Sequence, residues 1–198
     1  MKSYQRLVSV GWPLLALGCG ASESSKQSGY ASSKDDRWRS RSISVCFTQV
    51  SPAIETAKDI ITEGINTEFG KVGLSFNVSR DCSEGAAISV RFVNSGSSAV
   101  DKIGSSAQTV SLGVGHSCAD SAGNPVSFLT SNCLRNVAVH EFGHIVGLHH
   151  EMNRRDNDQN CTLDQTSGLG EPGTIQLGDY DSSSIMNYCH LFRKKCSQ

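Results

Sequence analysis

A mixed α+β domain is the fold class that the sequence predicts, and three observations predict it. A short β-branched segment near residue 42 is followed by a long apolar helical repeat, by several alternating segments, and finally by a second helical segment near residue 134. Strands and helices in this order form a sheet with helices packed on it. Residues 42–198, about 157 in number, are enough to bury a single core.

The first strand and the first helix have clear local signals. Residues 42–48 read SISVCFT, which alternates apolar and polar side chains as a half-buried strand does. Ser51 can cap a helix whose first turn contains Pro52, a position that tolerates proline. Isoleucines at helical spacing then continue until Gly70. We therefore predict a long helix that packs on the sheet.

Three further strands and a second helix follow. Residues 73–79 and 87–93 are rich in β-branched and aromatic side chains, which predicts strands. Residues 108–114 are polar at alternate positions, which favours an edge strand. From Leu134 to Gly147 apolar residues again repeat at helical spacing, so this helix has one stripe that faces the core.

The second helix carries the most informative motif of the chain, HEFGHIVGLHHE, which begins at His140. His140 and His144 are four residues apart, so a helix projects both imidazoles from one face toward a single metal ion. Glu141 lies near that face, within reach of a water molecule on the metal. Gly147 tolerates the left-handed turn that ends a helix and returns His150 to the same ion. The motif predicts one zinc ion on three histidines, with Glu141 as general base.

A second motif lies further along the chain, where residues 180–188 read YDSSSIMNY. A methionine between an isoleucine and an asparagine usually belongs to the core. After a helix of this type, however, S-I-M-x-Y is similar to the methionine turn that metzincin proteases place beneath their zinc. The matching residues are Ser184, Ile185, Met186 and Tyr188.

The residues that follow the third histidine narrow the resemblance. Glu151 comes directly after that histidine, and Arg154 and Asp156 extend the run to H-E-x-x-R-x-D. Matrixins usually carry Ser or Thr at the first of these positions, and adamalysins Asp. Over residues 140–156 and 180–188 the chain therefore resembles the astacin family of metzincins, whereas its upstream part is similar only in architecture.

This resemblance implies a metzincin-like zinc protease fold. Such a fold has a twisted mixed sheet, two long helices above the cleft, and a small irregular lower half braced by disulfides, here residues 151–198. The resemblance also implies that the edge strand, predicted at 108–114, binds an extended substrate by strand addition. The zinc would lie in the cleft between the two halves.

The resemblance further implies a role for each matching residue. One zinc ion on the three histidines would activate a water molecule, and Glu141 would take its proton and pass it to the leaving amine. Tyr188 would ligate the zinc at rest and swing away to hydrogen-bond the transition state. Met186 would form a hydrophobic floor under the ligands. Glu151 would be structural, in contact with a buried N-terminus; the alternative is a solvated acid beside one of the arginines that follow it.

The predicted function is that of a zinc-dependent endopeptidase, which hydrolyses peptide bonds in proteins. The alternative is a noncatalytic zinc-binding surface lipoprotein, an adhesion or scaffolding module that kept the fold. Glu141 separates these hypotheses, because such modules often lose the general base and this chain retains it. A metal-free structural domain stapled by disulfides would leave the three spaced histidines unexplained.

The N-terminal residues predict export. Residues 1–19 have a basic start and an apolar stretch too short to span a bilayer permanently, which is typical of a signal peptide. The segment ends in ALGC and so resembles a bacterial lipobox, with Ala16 where leucine is usual. By that resemblance Cys19 is lipidated and the protein is an outer-membrane lipoprotein. Cleavage near Gly20 or Ala21 would instead give a secreted protein.

Residues 20–41 are Ser-rich and charged and have no apolar period, which predicts a flexible tether. Trp38 interrupts this polarity. With Asp35 and Asp36 it offers an alternative, a short inhibitory pro-segment that caps the zinc. The catalytic domain would cover residues 42–198.

Composition limits the partners. The formal net charge is -1 and 37% of the residues are hydrophobic, so the sequence indicates neither a basic face for nucleic acid nor a further membrane span. We expect protein or peptide substrates, no nucleic acid, a monomeric chain, and membrane contact only through the N-terminal lipid.

Cysteine usage agrees with export. The chain has 8 cysteines and no C-x-x-C motif, which favours disulfides. If Cys19 is lipidated or removed, seven remain, which allows three bridges and leaves one free thiol. Bridges between Cys118 and Cys133, and between Cys189 and either Cys161 or Cys196, are hypotheses, since a sequence does not determine connectivity.

Overall fold

The computed structural model of the chain describes residues 29–32, 36–49, 52–115, 118–119, 124–130, 132–157 and 174–187. Its strands are β1 (Gly29–Ala31), β2 (Ser42–Phe47), β3 (Ser75–Ser79), β4 (Ile88–Val93), β5 (Ala99–Val100), β6 (Thr109–Gly113), β7 (Cys118–Ala119), β8 (Pro125–Val126) and β9 (Ile175–Leu177). Its helices are α1 (Pro52–Gly70) and α2 (Asn132–Ile145). Within this part of the chain, neither helix has the length and apolar character that crossing a membrane requires.

The main sheet has five strands in the order β3-β2-β4-β6-β5. β2 runs parallel to β3 and β4, and β4 runs parallel to β6, whereas β5 is antiparallel to β6. A parallel pair needs a long crossover, and α1 supplies the one between β2 and β3. The sheet is therefore mixed, and the predicted α+β class is confirmed.

The core lies between this sheet and the two helices. In β2, Ile43, Val45 and Phe47 are each 1% exposed, because one face of the strand packs inward. On α2, Phe142 packs edge-on against Phe76 of β3 with ring centroids 5.0 Å apart. The helix that bears the histidines thus rests on the sheet. Fully buried residues from the two helices complete this core: Ala57, Ile61, Ile65, Leu134, Ala138, Val139 and Ile145.

The strand predicted at residues 108–114 is present as β6, but its predicted place at the edge of the sheet is wrong. β6 lies between β4 and β5, and β5 forms the edge. The polar residues of β6 alternate because one face of the sheet is solvated, not because the strand has a free edge. On that face Thr109 Oγ1 lies 3.4 Å from Ser89 Oγ, and Arg91 Nε donates to Ser111 Oγ over 2.9 Å.

Residues 29–32 belong to the folded domain, although their composition predicted a flexible tether. β1 pairs with β9 in an antiparallel register that places Tyr30 opposite Gln176. Ala31 also forms an isolated bridge with Leu148. Main-chain pairing needs no apolar period, so composition alone does not indicate it.

The segment from residue 36 to residue 41 is likewise part of the domain, because Trp38 packs on the core and its Nε1 donates to the carbonyl oxygen of Ile145 over 2.7 Å. The tether prediction is therefore wrong for these residues and for 29–32. The rest of the predicted tether, and the predicted signal segment 1–19, lie outside the described residues.

A disulfide that the sequence did not single out joins Cys46, at the end of β2, to Cys82, after β3. Cys133, at the start of α2, is disulfide-bonded as well. The predicted bridges remain predictions, because the other cysteine side chains that they involve lie outside the described part of the chain.

Candidate active site

Three histidine side chains converge at the end of α2. Nε2 of His150 lies 3.3 Å from Nε2 of His140 and 3.1 Å from Nε2 of His144. His140 and His144 are 3% and 6% exposed, so both imidazoles are turned away from solvent. Ligand atoms from the three residues all lie within 4.8 Å of one another, so the group could hold a metal ion.

The outer ring nitrogens orient the first two histidines. Nδ1 of His140 donates to the carbonyl oxygen of Ile185 over 2.8 Å, and Nδ1 of His144 donates to that of Leu148 over 2.7 Å. A carbonyl oxygen only accepts, so Nδ1 carries the proton and Nε2 keeps its lone pair for the centre of the group. Burial, reinforced by the neighbouring histidines, holds the pKa of His144 well below 6.5. Its imidazole is therefore neutral, the form that binds metal.

A glycine turn brings the third histidine to the other two. Gly147 has a φ of 97°, a left-handed conformation that favours glycine. Its N–H bonds the carbonyl of His144 over 3.0 Å, and the N–H of Leu148 bonds that of Gly143 over 2.8 Å. These two bonds form the Schellman motif, which ends a helix and reverses the chain. His150 follows this turn, so the left-handed conformation of Gly147 lies between the helix and the third histidine.

The spacing of the three nitrogens suits zinc. A tetrahedral ion with bonds of about 2.0–2.1 Å keeps its ligand nitrogens about 3.3–3.4 Å apart, and two of these separations are 3.3 and 3.1 Å. The lone pairs of His140 and His144 face the centre together with Nε2 of His150, an arrangement that a cation stabilises. Three protein ligands would leave the fourth position of the ion open, as in catalytic zinc sites.

Glu141 lies beside the first histidine on α2 and is 4% exposed. Burial raises the pKa of its carboxyl group to about 8. None of the described residues donates a hydrogen bond to this group, so its oxygens are available to a water molecule or a substrate. A bound cation would favour the carboxylate and lower the pKa again.

The methionine turn packs directly under the helix. Met186 is 3% exposed, and its sulfur lies so close to Gly143 that a side chain at that position would collide with it. The carbonyl oxygen of Met186 accepts from the N–H of Glu151 over 2.9 Å. The carbonyl oxygen of Ile185 binds His140. The turn therefore contacts the first histidine and Glu151, the residue that follows the third histidine.

Glu151 is buried, so the alternative of a solvated acid is wrong. Its exposed fraction is 1%, and Oε1 accepts from the N–H of Asp181 over 3.1 Å. The same oxygen lies 3.4 Å from Nε of Arg154, whose side chain is also 1% exposed. Burial raises the pKa of Glu151 to about 7 against the opposing effect of these partners. Its predicted contact with a chain N-terminus stays a prediction, since the structure describes nothing before Gly29.

Arg154 connects the site to β9, which pairs with β1; we call these two strands the lower strand pair. Its guanidinium binds both oxygens of Asp156, over 2.8 and 2.7 Å. It also donates to the carbonyl oxygens of Leu177 and Gly178, over 3.0 and 2.6 Å. The hydrogen bonds to Asp156 raise the pKa of Arg154, so this buried group stays charged. The sequence identified Arg154 only as a family position, because the two carbonyl groups that it binds lie more than twenty residues away.

Two predicted site residues, Tyr188 and Cys19, lie outside the described residues. The residue before Tyr188 is described: Asn187 is fully buried, and its Nδ2 donates to the hydroxyl oxygen of Tyr180 over 2.6 Å. Sequence reasoning missed Asn187, Tyr180 and Gly143. The available signal for Gly143 was a glycine inside a helix, which usually marks close packing.

A comparison with known families agrees with this geometry. The model of the Astacin peptidase family matches residues 30–197, which is most of the chain. No curated protein sequence matches the chain.

Two solved structures are similar to the chain. The structure of myroilysin is 21% identical, with a TM-score of 0.52 over 81% of this chain and 83% of its own. High choriolytic enzyme 1, a hatching enzyme zinc-protease from Oryzias latipes (medaka fish), is 16% identical, with a TM-score of 0.46 over 77% of this chain and 71% of its own. The family match, which covers both the histidine motif and the methionine turn, shows that the chain belongs to the astacin family of peptidases.

Proposed function

We propose that this chain is a zinc-dependent endopeptidase that cleaves internal peptide bonds of protein substrates. The observation that carries the proposal is the convergence of three Nε2 atoms at the end of α2, where a buried acid, Glu141, directly follows the first of the three histidines. Membership of a peptidase family supports it. A binding module would need the histidines but would have no use for a carboxyl group buried beside them at an energetic cost.

His140, His144 and His150 would hold the ion, with Met186 as the apolar floor beneath them. When bound, zinc supplies the Lewis acidity that activates a water molecule and polarises the peptide carbonyl. Glu141 takes the proton of that water and later gives it to the leaving amine. Burial of Glu141 keeps bulk water from competing for its oxygens.

The edge strand β5 is the proposed site for the substrate main chain. The main chain of Asp101, directly after β5, faces β6, because its N–H donates to the carbonyl oxygen of Thr109 over 3.1 Å. By alternation, the N–H and C=O groups of Val100 point to the open side of the sheet. β5 also contacts α2, so an added peptide strand would run beside the zinc helix.

Tyr188 is proposed to hydrogen-bond the transition state. The support is its neighbour Asn187, because the bond from Asn187 to Tyr180 holds the chain in a defined conformation directly before Tyr188. Its swing toward the substrate remains part of the proposal.

We also propose that the protein is exported, by the signal segment 1–19 with Cys19 as the lipid anchor or by cleavage to a secreted form, and that it acts as a monomer. The disulfide between Cys46 and Cys82 supports an oxidising compartment. Mass spectrometry of the mature N-terminus tests the anchor: a chain that starts beyond Cys19 would contradict it.

The activity test uses a fluorogenic peptide that is blocked at both ends, so that only internal cleavage gives a signal. Glu141→Gln keeps the size of the side chain and removes the base; we expect bound zinc to be unchanged and kcat/KM to fall by at least about 100-fold. Glu63→Gln, an exposed position on α1, is the matched control and should cleave like the parent. Cleavage by Glu141→Gln at the parent rate would contradict the proposal, and so would a zinc-loaded parent that cleaves no peptide.

A further inference from the structure

The last turn of α2 is capped by residues from the beginning of the chain. Nε1 of Trp38 donates to the carbonyl oxygen of Ile145 over 2.7 Å, and the N–H of Ser32 donates to that of Gly147 over 2.8 Å. Carbonyls at a helix C-terminus have no partner within the helix and must find one elsewhere. We call Ala31, Ser32 and Trp38 the N-terminal brace.

The brace also contacts the residues between the helix and the third histidine. Ala31 forms a bridge with Leu148, and Ser32 Oγ lies 3.0 Å from Nε2 of His149. Ser32 and His149 are 7% and 8% exposed, so this contact is shielded from water. Every residue from Gly147 to His149 is therefore in contact with the brace.

The brace is itself fixed on its outer side. β1 pairs along its length with β9, and the carbonyl oxygen of Leu177 at the end of β9 accepts from Arg154. Near Trp38, Gly104 has a φ of 81° and lies so close to the main chain of Asp36 that no side chain would fit there. The brace is thus held between the lower strand pair and the turn that carries the third ligand.

We infer that the N-terminal brace positions His150 and thereby sets the affinity of the three histidines for zinc. His140 and His144 are placed by α2 itself, whereas His150 follows the helix and depends on contacts made to its turn. Ala31, Ser32 and Trp38 are positioning residues, because none of them is one of the three histidines and their contacts are with the end of α2 and the turn after it. The inference rests on the proposed function only for the identity of the metal.

The test is the zinc dissociation constant of the full chain, measured by competition with a chromophoric chelator. Trp38→Phe keeps an aromatic ring and removes the Nε1 donor. We expect its zinc Kd to rise about 3- to 10-fold, the effect of one lost hydrogen bond. We also expect faster release of zinc into excess chelator, because a displaced third ligand retains the ion less well.

Ile43→Val is the matched control, since it removes a buried methylene from β2, away from the turn. It should lower the melting temperature and leave the zinc Kd within about twofold of the parent value. A Trp38→Phe variant with the Kd and release rate of the parent would overturn the inference. An equal loss of affinity in Ile43→Val would overturn it too, because the effect would then follow from stability alone.

The outcomes separate this inference from the proposed function. A parent that binds zinc but cleaves no peptide contradicts the proposed function and leaves the brace measurement intact. A parent that binds no zinc contradicts both.

Discussion

His140 and Ile185 are joined by a hydrogen bond from Nδ1 to the main-chain carbonyl oxygen, 2.8 Å long, across 45 residues of sequence. The bond makes the methionine turn part of the ligand geometry, because it selects the ring nitrogen of His140 that faces the centre. The turn and the helix are therefore expected to respond together to changes in either one.

Gly143→Ala tests the contact between the helix and the turn. The added methyl group would collide with the sulfur of Met186, so we expect a loss of about 1–3 kcal/mol in the free energy of unfolding, measured with urea. Gly70→Ala is the control, since a methyl group there meets nothing within 4 Å. The double variant Gly143→Ala, Met186→Ala should recover part of the loss. Equal stability of Gly143→Ala and the parent would contradict the packing described here.

Arg154→Met tests the buried ion cluster. The substitution removes the cation beside Glu151 and the hydrogen bonds to the carbonyl groups of Leu177 and Gly178. We therefore expect the free energy of unfolding to fall by about 3–5 kcal/mol. Arg155→Met, at the exposed neighbouring position, should change stability by less than about 0.5 kcal/mol. Similar unfolding curves for the two variants would show that the cluster does not stabilise the lower part of the domain.

Asp101 predicts a pH dependence. Partial burial raises its pKa, but hydrogen bonds from the N–H groups of Gln108 and Thr109 outweigh that effect and lower the pKa below 3.8. A carboxyl group whose pKa is lower in the folded state stabilises the fold at any pH above its pKa in the unfolded state. This stabilisation is lost as the pH falls through its pKa in the folded state.

Asp101 is largely exposed, so solvent screens the effect, and we expect Asp101→Ala to lower the free energy of unfolding by at most about 0.5 kcal/mol at pH 7, and by less as the pH falls below about 4. Urea unfolding at several pH values gives the comparison, with Glu63→Ala, at an exposed position on α1, as the control. If the free energies of unfolding of Asp101→Ala and the parent differ by the same amount at pH 7 and at pH 3, the lowered pKa of Asp101 does not stabilise the fold.

Metal removal should destabilise the domain, because three imidazole nitrogens then face one another without a cation. At a free zinc concentration of 100 times Kd, zinc binding adds about 2.7 kcal/mol to the free energy of unfolding. The melting temperature should fall with a chelator and recover with zinc but not with magnesium, which prefers oxygen ligands. A melting temperature that is indifferent to the chelator would count against a metal site.

The sequence predicted the elements whose determinants are local. The spacing of His140 and His144 fixes both side chains on one helical face, and Gly147 supplies the left-handed residue that the turn requires. The long helix and the strands of the sheet follow from the periodicity of their apolar residues. These features depend on neighbours in sequence, so spacing was sufficient to find them.

The features that sequence reasoning missed depend on distant partners. β5 is a two-residue strand, and the loop before it packs over Gly113 so closely that a side chain there would meet the main chain of Ser97. Arg154 is a charged residue whose burial is made possible by carbonyl groups of the lower strand pair. The N-terminal brace forms through main-chain bonds. Composition carries no signal for contacts of this kind.

The most direct measurement of the central claim is an anomalous difference map at the zinc absorption edge, from crystals of the protein grown with zinc. The account predicts one peak at about 2.0–2.1 Å from Nε2 of His140, His144 and His150, with the carboxyl group of Glu141 close by but not bound to the ion. A peak that lies elsewhere, or that lacks any of the three histidines as a ligand, would contradict it.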